Sequence, residues 1–189
     1  MEITHAVSTK GSAGMSRTDA ISSELRAMRA GLDRAHSAAA AADQEAGQVA
    51  ARAAAAGFSG VAVGVSRVQE AIRELRNALS SVDDTVSKAL ALVGAVPKEA
   101  SPAEVIDALS RVEDTVGAAG ERVGSSVNKV DETRSLVARV LQGGDPGPLL
   151  SMLGSIKEIL VMVGQRGGAA RQALEPAIND ARRTGSSGS

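Results

Sequence analysis

The sequence predicts an all-α protein: two tandem antiparallel helical hairpins in heptad coiled-coil packing, joined into a four-helix bundle. Three observations carry this. Apolar residues recur at alternating steps of three and four through four long segments, the period of a helix seam. Breaks rich in glycine and proline separate those segments. Aromatic residues make up 1% of the chain, with Phe58 as the single one, while 43% is hydrophobic. That apolar content is largely Ala, Val and Leu, which suits helices packed on helices better than a sheet or an aromatic-lined pocket.

The first seam runs Ile21, Leu25, Met28, Leu32, then Ala35, Ala39, Ala42 and Ala46, and ends at Val49, Ala53 and Ala56. Gly57-Phe58-Ser59-Gly60 breaks it. The second runs from Val61, Val65, Val68 and Ile72 through Leu75, Leu79, Val82 and Val86 to Ala89, Val93 and Val96. The third holds Val105, Leu109, Val112, Val116, Ala119, Val123, Ser126, Val130, Thr133, Val137 and Val140. Gly143-Gly144-Asp145-Pro146-Gly147-Pro148 follows it. The fourth is Leu149, Leu153, Ile156, Leu160, Val163, Gly167, Ala170, Leu174, Ala177 and Ala181. Only Ser126, Thr133 and Gly167 depart from apolar character.

The boundaries agree with the pattern. Ser101-Pro102-Ala103-Glu104 places a capping Ser, a proline at the first helical position and Glu at the third. Ser16 with Asp19 is a weaker start signal. Gly57 and Gly143 stand where a helix end needs a left-handed residue, and Pro146 and Pro148 prevent read-through. Residues 16–96 are thus read as the first hairpin, 97–101 as a linker and 102–182 as the second hairpin. The small polar stretches 1–15 and 183–189 are expected to be disordered tails. Val68-Gln69-Glu70-Ala71-Ile72 echoes Ile156-Lys157-Glu158-Ile159-Leu160, which points to a tandem duplication. Ile106, Val127 and Leu141 widen the third seam, and Leu150, Met152, Ile159 and Ile178 the fourth. That width favours a bundle over an extended end-to-end array of hairpins.

Composition narrows the function. A net charge of −1 speaks against nucleic-acid binding, which needs an excess of Lys and Arg. Without cysteine there is no thiol nucleophile and no thiolate metal site. His5 and His36 lie far apart and form no paired ligand motif, so neither a metal nor a cofactor is expected. The carboxylate pairs Asp83-Asp84, Glu113-Asp114 and Asp131-Glu132 fall off the seam and read as solvated faces. No enzyme is expected. The stretch Pro148–Val163 is short for a membrane span and carries Lys157 and Glu158. The chain is expected in the cytoplasm, or secreted by a route without a cleaved signal peptide.

Two features are left for recognition. Glycines within the helices (Gly31, Gly47, Gly64, Gly117, Gly120, Gly124, Gly154, Gly164, Gly167 and Gly168) mark either loosely selected exposed faces or close helix approach. Leu149, Leu150, Met152, Leu153, Ile156, Ile159, Leu160, Val161, Met162 and Val163 are apolar beyond one stripe. Val161 and Met162 fall outside the seam; core packing accounts for most of the excess, and an exposed patch for a partner helix or lipid is the sharper reading.

Residues 102–182, above all Val130-Asp131-Glu132-Thr133-Arg134-Ser135-Leu136-Val137-Ala138 and Gly147-Pro148-Leu149-Leu150, resemble a family of uncharacterised actinobacterial helical-hairpin proteins. Residues 16–96 are similar to helical N-terminal segments of actinobacterial polymorphic toxins. Phe58-Ser59-Gly60 is loosely similar to the turn of WxG-type hairpins of type VII secretion, with Phe in place of Trp. These resemblances imply secretion or partner recognition without chemistry in the hairpins. The expected function is a non-catalytic interaction module, an adaptor or secreted partner in a bacterial toxin or secretion system. The alternatives are a self-associating structural coiled coil and, behind it, a lipid-surface bundle. Its partner is expected to be a protein or a second copy, met through helices.

Overall fold

The computed structural model describes residues 10–96 and 100–186. These form four helices and no strand: α1 (Lys10–Ala55), α2 (Ser59–Gly94), α3 (Pro102–Val140) and α4 (Gly147–Ser186). Each helix packs on two others, α1 and α3 both lying against α2 and α4, so the four stand in a square with α1 diagonal to α3. The contacts fix an up-down-up-down order. Met28 abuts Gly167 and Gly31 abuts Val163 across α1 and α4, while Gly64 abuts Val140 across α2 and α3. The hairpins therefore lie side by side in one bundle, which excludes the end-to-end array.

The core is one cluster fed by all four helices. Nearly every seam position is buried, from Ile21 to Ala46 on α1, Val65 to Val93 on α2, Leu109 to Val137 on α3 and Leu149 to Leu174 on α4. Of the exceptions, Val49, Ala56, Val61, Val96, Val105 and Val140 sit toward helix ends, and at Ala177 the neighbouring Ile178 is buried instead. Ser126 and Thr133 are buried too, and each hydroxyl donates to the carbonyl one turn back, at 3.0 Å on Arg122 and 2.7 Å on Lys129. That satisfies them within their own helix.

Some ends fall elsewhere than the sequence suggests. Helix α1 already runs from Lys10, so Ser16 and Asp19 lie within it and not at its start; α4 continues to Ser186. Of the expected tails, 1–9 and 187–189 lie outside the described residues, as do His5 and residues 97–99 of the linker. Ser59 and Gly60 belong to the first turn of α2, and Gly147 and Pro148 to that of α4. Pro176 sits inside α4. It has no N–H for the carbonyl four residues back, and its own carbonyl accepts from Arg17 Nη1 at 2.8 Å.

The turns are closed by backbone chemistry. Gly57 has φ +80°, Phe58 N–H donates to Ala53 O at 2.8 Å and Gly57 N–H to Ala54 O at 3.1 Å. This is a Schellman ending, which favours glycine at the left-handed position. At the second turn Gly143 has φ +89°, and Asp145 Oδ1 accepts from Gly147 N–H at 3.0 Å. Helix α3 opens on a complete capping box: Ser101 N–H donates to Glu104 Oε2 at 2.8 Å, and Glu104 N–H to Ser101 Oγ at 3.4 Å.

Two predictions follow from these local facts. A Cβ on Gly31 would lie 2.5 Å from Val163 Cγ2, and a helical valine has essentially one χ1 to offer. Gly31→Ala is expected to lower stability by on the order of 1 kcal/mol despite alanine's helix preference. A chemical-denaturation cycle with Val163→Ala should recover that loss. Hydrogen bonds from Ser101's backbone and side chain hold the Glu104 carboxyl below its ordinary 4.5. A depressed folded pKa adds stability above the unfolded value and loses it as pH falls through the folded one. Glu104→Gln should therefore be less stable than wild type at neutral pH, the gap closing as acid titration passes below pH 4.5.

Candidate interaction face

The apolar run of α4 divides in three. Leu149, Leu153, Ile156, Leu160 and Val163 are core residues, so no partner can reach them. Leu150, Met152 and Ile159 are half-buried against that core. Val161 and Met162 alone stand out, each 45% exposed. The candidate partner patch therefore contracts to the crest of α4, because half of the residues proposed for it are themselves the seam.

Ion pairs flank this crest. One turn before Val161, Lys157 Nζ reaches both oxygens of Asp131 on α3, at 2.8 and 2.7 Å. One turn after Met162, Arg166 Nη1 meets Glu24 Oε2 of α1 at 3.2 Å. Val161 thus sits on the α3 side of the crest and Met162 on the α1 side. Further pairs tie the other edges: Arg29–Asp83 at 3.6 Å and Arg76–Asp43 at 3.8 Å between α1 and α2, Lys129–Glu74 at 3.4 Å between α2 and α3. Arg17 also pairs with Asp180 across α1 and α4. Asp83 and Asp131 are accordingly half-buried structural partners, while their neighbours Asp84 and Glu132 are exposed. His36 is half-buried rather than fully solvated.

The glycines split into two classes. Gly31 and Gly64 are close approaches, where a Cβ would meet a valine on the facing helix at 2.5 and 2.7 Å. Gly167 makes room for Met28, whose Cε stands 3.2 Å from the Cβ position. Gly117, Gly120, Gly124, Gly154 and Gly168 face nothing within 4 Å. Several of these floor an open groove of about 740 Å³ between α3 and α4, bordered by Glu113, Asp114, Glu121 and Arg171. A smaller recess of about 240 Å³ lies between α2 and α3 and is lined by Glu74, Lys129, Glu132 and Arg139. Neither resembles the enclosed, mostly apolar cleft that holds a small molecule.

At the turn end, Phe58 is 64% and Val63 59% exposed. The turn residues Gly57, Phe58, Ser59, Gly60, Gly143, Gly144, Asp145, Pro146 and Gly147 serve chain reversal and helix capping. Among the described residues no three His, Asp or Glu side chains gather closely enough to hold a metal ion. Helix α4 is long and apolar enough to cross a membrane by length and composition alone, yet its seam is committed to the bundle core.

The heptad pattern places Val161 and Met162 outside the seam of α4, where the structure exposes them; it does not show that Leu150, Met152 and Ile159 are half-covered, which depends on the neighbouring helices. The register-dependent ion pairs were also missed. Their signal was present only as charges next to the seam.

Residues 100–186 are similar to a family described as a family of unknown function, DUF6244. The match spans α3 and α4, including the capping box. No curated protein matches the chain, and no solved structure does.

The open glycines generate a prediction. Gly117→Ala and Gly124→Ala should each raise stability by about 0.5–1 kcal/mol, because the added methyl gains helix preference without a clash. Thermal melts beside Gly31→Ala would show effects of opposite sign.

Proposed function

We propose that this protein is a non-catalytic helical interaction module whose partner seats on the crest of α4. The observation that carries the reading is the exposure of Val161 and Met162 on a helix whose seam is already satisfied. A bundle that only had to fold would gain from polar side chains at both positions. Charged residues dominate the outer face of α2, with Arg67, Glu70, Arg73 and Glu74 in succession. The crest of α4 instead carries Ser151, Ser155 and Gln165 around the apolar pair, with a single acid and a single base, Glu158 and Arg166, one turn to either side of Met162. An apolar centre ringed by small polar and oppositely charged residues is the make-up of a helix-docking surface.

The absence of enzymatic chemistry is part of the proposal. No nucleophile–base pair is in view on the described surface, and the grooves are open. The resemblance of the two halves to actinobacterial hairpin and toxin-associated segments supports a setting in a bacterial toxin or secretion system, inside the cell or after export.

A photo-crosslinking amino acid in place of Gln165, expressed in the source organism, tests the reading. It should give a discrete protein adduct, whereas the same probe in place of Arg73 on α2 should not. Equal adducts from both positions, or none from either, would overturn it.

A further inference from the structure

We infer that the partner seated on α4 is a second copy of the chain, packed antiparallel so that the two α4 helices meet at Met162. This rests on the interaction-module reading above and names its occupant.

The argument begins with one helical row. Ser155, Glu158, Met162, Arg166 and Ala169 follow one another at steps of three or four, and therefore share a face of α4. Ser151 and Ala173 extend the row at either end. Ser151, Ser155, Glu158, Met162 and Arg166 are exposed, and the two alanines are half-buried. The row reads the same in both directions about Met162 once small residues and opposite charges are treated as matching. A twofold axis through Met162 sets Glu158 of each copy against Arg166 of the other, Ser155 against Ala169 and Ser151 against Ala173. Met162 meets its own image.

Each part of that arrangement has a physical consequence. Small residues at both ends let two helix backbones approach. The thioether at the centre is flexible enough to pack against its symmetry mate. Glu158 has no ion partner among the described residues. Arg166 uses one nitrogen on Glu24, and the guanidinium fork retains further N–H donors for a second carboxylate. A parallel pairing would set Glu158 on Glu158 and Arg166 on Arg166, so the charges select the antiparallel one. A self-complementary patch of this kind closes on two subunits.

The chain has no cysteine, which makes the test direct. Sedimentation across a wide range of loading should show a mass rising to twice the monomer. Met162→Cys should form an intermolecular disulfide under mild oxidation, and Arg73→Cys on α2 should not. Glu158→Arg should weaken association about 10-fold or more by opposing like charges twice, and Glu158→Arg with Arg166→Glu should restore it. All these positions are exposed, and a cooperative thermal melt confirms that each variant is folded, including Arg166→Glu, which also gives up the pair with Glu24.

A monomer at every loading overturns the inference, as does a dimer indifferent to Glu158→Arg or crosslinked as readily through Arg73→Cys. The photo-crosslinker at Gln165 separates the two failures. A monomer that still gives a discrete adduct with a different protein overturns the second copy alone. A monomer that gives no adduct overturns the module reading as well.

Discussion

Each helix carries one apolar seam, and a helix pair leaves part of that seam open to water, so the four must be covered together. Burial is worth roughly 25 cal/mol per Å² of apolar surface, and the core here has almost no aromatic bulk to concentrate it. Volume must therefore be matched across the square, layer by layer. On α1 the large residues Ile21, Leu25, Met28 and Leu32 occupy one half of the seam and Ala35, Ala39, Ala42 and Ala46 the other. The contacts Met28–Gly167 and Gly31–Val163 set the antiparallel register with α4. That register brings Gly167 and Ala170 level with the large half, and Leu160, Ile156 and Leu153 level with the alanines. Small faces large through the middle of this interface, while Leu174 comes level with Ile21 at its end.

The remaining features answer to that packing. Because neighbours are fixed, charges beside the seams find opposite partners at all four interfaces, from Arg29–Asp83 to Lys157–Asp131. Exposed pairs are individually worth little. Their joint effect is to oppose other helix orders and registers, which a repetitive Ala, Val and Leu core discriminates poorly. Not all are well made: one oxygen each of Asp43 and Asp83 is covered without a hydrogen bond. Both lie on the α1–α2 edge, within the first hairpin.

Much of this was legible in the residues. The heptad steps found nearly every buried position, and Ser101-Pro102-Ala103-Glu104 located the start of α3, because period and capping are local properties. The start of α1 was not legible, since residues 10–16 lack a seam and Ser16 with Asp19 imitates a cap. Pro176 is tolerated within α4 for a reason beyond local pattern: its neighbours Leu174 and Ile178 are held in the core, and Arg17 binds its carbonyl. The glycines looked alike in sequence. Gly31 and Gly124 differ only in whether another helix stands opposite, which no single-helix pattern encodes. The same limit applied to the candidate site, where the heptad seam set Val161 and Met162 apart from Leu160 and Val163 but could not show that Leu150, Met152 and Ile159 are half-buried against the core.

The asymmetry between the hairpins bears on why the surplus lies on α4. The family similarity spans residues 100–186, with its boundary in the connection before the capping box. An α3–α4 hairpin on its own would leave part of its seam open to solvent, and here α1 and α2 cover that part. What remains apolar on α4 after they have done so is the pair Val161 and Met162, which lie outside the buried core. Glu158 and Arg166 lie one turn to either side of Met162, and Ser155 and Ala169 lie beyond them. An outer face under selection for solubility alone would carry more charge and no apolar centre. The order found here, small, acidic, apolar, basic, small, is what the proposed antiparallel pairing of two α4 helices rests on, as the bundle rests on the seam.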